Sequence, residues 1–408
     1  MLLSRPWYLA GLIGPWLPLL VTPLALAQIT PDATLGTEGS LISPGVAVRG
    51  EVTDLIEGGA VRGGNLFHSF WEFNIDDGQR VYFANPAGIE SILSRITGGN
   101  PSAIFGTLGV DGAADLFLLN PNGIIFGENA ALDIEGSFYA STAEAIPLGN
   151  GVYSATTPEQ SSLLIVNPSA LISTYLSDAS GDIENRGQLA VQGNLTLAAN
   201  NLDLQGQVAA GGDLVLLGNR VQIRDGVDTP FVGFSGGDLL VQGNEQVDIV
   251  ALSHADSGLY SYGDMVLRSA NPVGGDAHYW SGGSFRVENL DEGLGELFSP
   301  IDPVIRALGD VAIFGYQGGS LHILAGGSVN IGTAIITDAD PGELGVDFLR
   351  ETITLSDGTV VAIDGGAQPT LDVRAGVAPA AIGFIPLENP SGVNPFTDFF
   401  VNDRWVAS

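Results

Sequence analysis

Leu116-Phe-Leu-Leu-Asn-Pro-Asn-Gly-Ile-Ile-Phe-Gly127 is the stretch on which the fold turns. Two apolar, β-prone runs flank a tight Asn120-Pro121-Asn122-Gly123 corner. Pro121 fixes φ and has no N–H to give a ladder, and Asn122-Gly123 favours the positive φ of a sharp turn. Alone, the stretch describes a hairpin or a corner between two strands. Working outward, short runs of the same kind recur: Ser40-Leu-Ile-Ser43, Leu66-Phe67, Phe70-Trp-Glu-Phe73 and Val81-Tyr-Phe83. Strand-length pieces bounded by Gly, Asn, Asp and Pro predict an all-β chain. Ile89 to Thr97 has the spacing of one short helical turn. Elsewhere no helical period persists, and 57 Gly disfavour long helices.

Farther along, a repeat emerges. Gly-x-apolar starts recur at Gly193-Asn-Leu, Gly212-Asp-Leu, Gly237-Asp-Leu, Gly263-Asp-Met, Gly283-Ser-Phe, Gly309-Asp-Val, Gly319-Ser-Leu and Gly327-Ser-Val. The first six are spaced by 19, 25, 26, 20 and 26 residues, and the last two fall closer together. Each leads into alternating apolar residues, which predicts one solenoid coil per repeat. A propeller is the alternative, although its blades usually need about 40 residues or more. At about 20–25 residues per coil, the chain beyond Ala27 would make roughly 15–19 coils. With strands about 4.8 Å apart, that is a rod of about 70–90 Å.

Composition narrows the setting. Met1 to Ala27 reads as a cleavable signal peptide: Arg5 supplies the positive start, Trp7 to Leu24 the apolar core, and Ala25-Leu26-Ala27 the cleavage site before Gln28. The formal net charge is −32, with 46 acidic residues. Such a surface repels nucleic acid and anionic lipid, so no nucleic-acid partner is expected. With 45% hydrophobic and 15% charged residues, the chain is folded rather than disordered. It has no Cys, and all 14 basic residues are Arg. Disulfides, cysteine metal sites and lysine chemistry are thereby excluded. Stability must come from packing and hydrogen-bond ladders, without a cofactor.

Phe70-Trp-Glu-Phe-Asn-Ile-Asp-Asp-Gly78, Val81-Tyr-Phe-Ala-Asn-Pro86, Ser94-Arg-Ile-Thr-Gly-Gly99, Leu116 through Gly127 and Gly136-Ser-Phe-Tyr-Ala-Ser-Thr142 follow one another in an order that resembles the filamentous haemagglutinin N-terminal domain. This is the secretion domain of two-partner secretion exoproteins, and the wording is most similar to its cyanobacterial branch. The resemblance runs from about Ile29 to Ile165. It implies a right-handed parallel β-helix with an N-terminal cap and extra-helical hairpins. It also implies recognition by periplasmic domains of an outer-membrane β-barrel transporter, passage outward unfolded, and a secreted, extracellular or cell-surface product. The family motif matches at Asn120, Pro121, Asn122, Gly123 and Ile124. An earlier Asn-Pro motif has its counterpart at Asn85 and Pro86, where Ala87 and Gly88 depart from the pattern. For both motifs, corner formation and direct partner contact are open readings.

The resulting division is 1–27 signal peptide, 28–165 secretion domain, 166–338 β-helical repeat body and 339–408 irregular C-terminal segment. The body is read as an adhesin or surface/matrix protein that meets a host or cell-surface glycan or protein, and the chain is expected to be monomeric. The rival is a β-helical enzyme cleaving an extracellular glycan, which would need paired carboxylates or an Arg/Lys base with a cation. Asp76-Asp77 is the nearest acidic pair and reads as a turn. The four His (His68, His254, His278, His322) are scattered without metal-ligand spacing, so no metal or catalytic site is expected. Calcium binding is disfavoured because the Gly-Gly-x-Gly-x-Asp repeat is absent. Finally, Thr352 to Val361 predicts a hairpin turning at Asp357-Gly358.

Overall fold

Successive coils stack so that one apolar residue of each lies on the next. Leu66, Ile92, Leu116, Phe138, Leu195, Leu214, Leu239, Met265, Phe285, Val311 and Val329 form one column of directly paired residues. In the computed structural model, which describes residues 29–383 apart from 166–179, 227, 255, 341–349 and 356, the chain is a parallel β-helix with three faces. The second face carries a parallel column from Ile124 through Ile183, Leu202, Val221 and Val247. The third runs from Val81 through Leu108 and, farther on, from Leu189 through Val208, Gly233, Leu259, Tyr279 and Ile305 to Ile323. The inward residues of all three faces make one continuous apolar cluster from Ile56 to Ala325. The expected signal peptide and residues 384–408 lie outside the described residues. Among those described, no helix is long and apolar enough to cross a membrane.

Among the described residues the eleven members of the first column mark eleven coils, against the sequence-based 15–19 for the chain beyond Ala27, and this stack is roughly 50 Å long. Part of the described chain is spent outside the coils. An antiparallel cap comes first, built from Ile29–Pro31, Ser40–Val48, Glu51–Gly58 and Ala60–Arg62. Two antiparallel hairpins project from the solenoid, Ala145–Leu148 with Gly151–Ser154, and Arg350–Thr354 with Val360–Asp364. The second of these is the hairpin expected at Asp357-Gly358, and Gly358 has φ +87°.

One expectation fails. Ile89 to Thr97 holds no helical turn: Ser91–Ile96 is a strand in which every residue is buried. Ile92 and Ile96 face the solenoid interior while Leu93 faces a second apolar cluster outside it, with Phe67, Phe117, Leu119, Tyr139, Ile146 and Tyr153. A strand covered on both faces loses its polar alternation, so its apolar spacing imitates a helix. The same two-sided burial explains the unbroken Leu116-Phe-Leu-Leu119 run. Arg95 holds this outer layer together although it is only 1% exposed. Its guanidinium donates to Ser154 O (2.7 Å), Ser161 Oγ (2.6 Å), Thr34 Oγ1 (2.8 Å) and Ser69 Oγ (2.9 Å), and it lies over the Tyr153 ring. Cap, first face and hairpin thus share one buried cation.

The Gly-x-apolar repeat proves to be a corner device. The middle residue of each repeat offers a side-chain oxygen to the backbone N–H of its counterpart one coil later. Asn194 accepts from Asp213 (2.8 Å), Asp213 from Asp238 (2.9 Å), Asp238 from Asp264 (2.8 Å), Asp264 from Ser284 (2.7 Å), Ser284 from Asp310 (3.2 Å) and Asp310 from Ser328 (2.6 Å). The preceding Gly leaves room for that oxygen: a Cβ on Gly237 would meet Asp213 Oδ1, and one on Gly263 would meet Asp238 Oδ1. Gly327, 18 residues beyond Gly309, is the true continuation. Gly319-Ser-Leu is not a member, because Leu321 starts a third-face strand. A Gly-Ser-apolar start looks alike at either corner.

His68 ties cap stability to pH. It is fully buried, its Nδ1 lies 3.0 Å from Ser40 Oγ, and its ring sits against Phe70 and Phe83. Burial pushes its pKa down to about 3. The unfolded chain, titrating near the ordinary value of 6.5, binds the proton first, so stability is complete above pH 6.5 and falls as pH drops toward 3. The expected loss from this group between pH 6.5 and 4 is about 3 kcal/mol. Near-UV circular dichroism of denaturant titrations at the two pH values checks it: in His68→Phe the acid loss should shrink by that amount, and an unchanged loss would assign it to other groups.

Candidate functional site

Leu116–Phe126 leaves the first face, turns at Asn120-Pro-Asn-Gly123, and enters the second face at Ile124–Phe126. Asn120 sits inside that corner with no exposed surface. Its Nδ2 donates to Asn100 O (3.1 Å) and Ser102 Oγ (3.0 Å) in the preceding coil. Its Oδ1 accepts from the Asn122 amide (3.0 Å) and from Asn122 Nδ2 (3.1 Å), closing the turn locally. Gly123 adopts φ +119°, and its N–H donates to Asn120 O at 3.1 Å. Pro121, which has no N–H to satisfy, is buried and accepts at its carbonyl from Ser180 Oγ (2.9 Å). Ile124 is buried in the solenoid interior and pairs with Ser102 before it and Ile183 after it. The motif therefore stitches three coils.

Only Asn122 of the motif is exposed, and its Nδ2 also holds Gly98 O at 2.8 Å. Beside it, the Trp71 side chain is 54% exposed, and its ring borders Gly98, where a Cβ would lie 3.4 Å from Trp71 Cδ2. Asn100 Nδ2 donates to Glu72 Oε1 at 2.6 Å. The outer surface of the corner is thus Trp71, Glu72, Asn100 and Asn122, with Gly98 buried beneath them.

Asn85 and Pro86 lie at a different corner, between the third-face strand Arg80–Ala84 and the first-face strand Ser91–Ile96. The half-buried Asn85, with its amide assigned from the surrounding donors and acceptors, donates to Ile89 O (3.1 Å) and accepts from Ala113 N (3.2 Å) and Ala114 N (3.1 Å). It ties its coil to the next, and a Cβ on Gly112 would strike it. Pro86 is exposed. The two motifs do equivalent work at separate corners and do not form one surface. Asp76-Asp77 makes a turn with Gly78 at φ +74°, and both acids are exposed.

A sequence profile described as the TPS (two-partner secretion) secretion domain matches residues 27–287, which contain both corners. The chain belongs to the TPS secretion domain family. Exoproteins of this family are secreted across the outer membrane, and the domain implies a partner transporter there. The heme/hemopexin-binding protein of Haemophilus influenzae is 36% identical over 66 residues, 16% of this chain and 7% of that protein, so the chain spans a small part of that relative. Among solved structures, the filamentous hemagglutinin secretion domain is 14% identical, with 76% of this chain and 99% of that one covered at a TM-score of 0.37. The HMW1 secretion domain from Haemophilus influenzae is 17% identical, with 74% and 84% covered at 0.34.

The TPS chain also carries two features that the sequence reading missed. A groove of about 610 Å³ on the second face is lined by Phe298, Phe314 and Ile335 with Gln246, Gln317, Asp248 and Glu296. Phe314 is 59% exposed and Phe298 44%. These aromatics occupy outward positions on successive coils and look isolated in the sequence. The second is a buried cluster: His322, read above as isolated, lies with Asp302 and Asp340. Their separations of about one coil are the signal that could have found them. Burial, with the charges of Asp340 and Asp276 adding to it, pushes the Asp302 carboxyl up to about 8.

Proposed function

We propose that this chain is the exoprotein of a two-partner pair, recognised through residues 28–165 by an outer-membrane β-barrel transporter and acting outside the cell, through its body at 166–338, as an adhesin or surface protein. The observation that carries the first half is the division of labour at the Asn120–Ile124 corner. Asn120 is buried and builds the turn, whereas Trp71 and Asn122 are accessible on the folded domain. A partner reading the folded corner meets those two residues. The absence of Cys agrees with passage through a barrel, because no cross-link can precede folding. The groove at Phe298 and Phe314 supports the second half: exposed aromatic faces beside amide and carboxylate groups suit a sugar ring.

The test is co-expression of the full chain with and without a cognate transporter, measuring protein in the medium. Wild type should reach the medium only with the transporter, and Trp71→Ala should lower export severalfold with unchanged stability. Equal release without any transporter would defeat the secretion reading, and unimpaired Trp71→Ala export would defeat the folded-corner reading. The secreted protein should then be retained on a glycan array and lose retention in Phe314→Ala. Release of new reducing ends from a glycan would favour the polysaccharide-cleaving alternative.

A further inference from the structure

We propose that Asp302, His322 and Asp340 form a binding site for one divalent transition-metal ion, of the Zn²⁺ or Mn²⁺ class, that clamps the last coils of the β-helix together. The three residues come from successive turns of the solenoid. Asp302 precedes the third-face strand Val304–Ala307, His322 lies on the adjoining strand Leu321–Ala325, and Asp340 follows Val329–Ile336. One ligand atom of each falls within 4.8 Å of the others, with His322 Nε2 and Asp340 Oδ2 at 4.0 Å. The residues are 2%, 0% and 3% exposed.

The unpaired atoms make this more than a cluster of acids. Asp302 Oδ1, His322 Nε2 and Asp340 Oδ2 are all buried without a hydrogen-bond partner. Three orphaned polar atoms at one point are costly unless something joins them. Their other ends are fixed. Asp340 Oδ1 accepts from the Ser320 amide at 2.8 Å, and the Asp340 N–H donates to Gly365 O at 3.0 Å. The Asp302 N–H donates to Asp276 Oδ1 at 3.2 Å. His322 Nδ1 faces Asp372 Oδ2 at 3.4 Å, and Arg374 grips that carboxylate at 2.6 and 2.8 Å. A carboxylate behind Nδ1 holds the proton there and leaves the Nε2 lone pair directed into the site, as in metal-bound histidines.

The donor set selects the ion. One imidazole nitrogen with two carboxylates suits Zn²⁺ or Mn²⁺ better than Ca²⁺ or Mg²⁺, which prefer all-oxygen shells. Gly365 borders the same point: a Cβ there would meet His322 Nε2 at 2.6 Å, and Asp340 Oδ2 closer still. The space is kept clear at a position whose φ does not itself demand glycine. Because the ligands span the coils and Asp372 belongs to the strand Leu371–Arg374, one ion would pin the end of the solenoid in a chain that has no disulfides.

The full chain, stripped with a chelator and desalted, should take up one equivalent of Zn²⁺ or Co²⁺ per molecule by plasma mass spectrometry. It should gain about 5 °C in Tm with Zn²⁺ and far less with Ca²⁺ or Mg²⁺. Asp302→Asn should abolish the single equivalent, Asp372→Asn should weaken it about 10–100-fold, and Gly365→Ala should block it with all ligands retained. Bound Co²⁺ gives an independent readout, since its visible spectrum should report imidazole and carboxylate ligation and vanish in Asp302→Asn. Failure of the metal-free wild type to take up any of these ions at one equivalent would overturn the site and leave a shared proton or a buried water as the joining group. Equal uptake by wild type and Asp302→Asn would overturn it in favour of adventitious binding by surface acids.

Discussion

Asn120→Ala should lower the stability of the folded chain by about 2–4 kcal/mol and cut the exported amount in parallel. The truncation removes four hydrogen bonds made by a side chain that has no exposed surface. Ser102 Oγ, fully buried, is left alone at a cost of about 1–3 kcal/mol, and the Asn100 carbonyl and the Asn122 amide lose their partner at the edge of the corner. Hydrogen exchange should localise the damage to Asn122, Gly123 and Ile124 and to the adjoining strand Ser102–Ile104. Ser102→Ala supplies the comparison, because it breaks the same staple from the other side and leaves the motif intact. If export in the two variants tracks their stabilities, the motif acts through the corner it builds. Export far lower in Asn120→Ala than stability explains would mean that the transporter reads Asn120 itself, which requires the corner to be unfolded at recognition.

Gly236→Ala should be as damaging, although it adds a single methyl group. Its Cβ would press into the Gly211 carbonyl of the preceding coil, with Gly211 C at 2.9 Å. Backbone cannot step aside as a flexible side chain can, so the two coils must separate. The expected cost is about 3 kcal/mol, concentrated at the interface between those coils because solenoid stability is summed over neighbours. Gly99→Ala is the matched control: nothing lies within 4 Å of its added Cβ, and its effect should stay within about 0.5 kcal/mol. Urea unfolding with exchange mapping would check both. A Gly236→Ala variant as stable as the control would mean that the two coils can part at Gly211 without cost.

The sequence revealed the solenoid best where corner and core residues are adjacent. In Gly237-Asp-Leu239, one residue makes room, the next joins the coils and the third enters the apolar column, so three consecutive letters report the whole coil. The Asn120 corner was legible for the same reason. Ser91–Ile96 was not, because the outer layer that buries Leu93 comes largely from Ala145–Leu148 and Gly151–Ser154, more than fifty residues away. The His322 cluster was hidden because coil lengths vary, and without the register nothing aligns 302 with 322 and 340. The outward aromatics of the groove were likewise indistinguishable from scattered surface residues until the coils were stacked.

The corner ladder also acts as an index mark. Successive members are 19, 25, 26, 20, 26 and 18 residues apart, yet each contact sets a side-chain oxygen, Oδ1 or Ser284 Oγ, on the backbone N–H of the next member. One step, from Ser137 to Asn194, spans 57 residues and includes the entire hairpin at Ala145–Ser154 without losing phase. The hairpin lies outside the coil, and the count restarts at the next notch. Such a rod is a spool on which foreign loops can be spliced between notches, and on which whole turns can be gained or deleted by recombination, with errors confined to the turn where they occur.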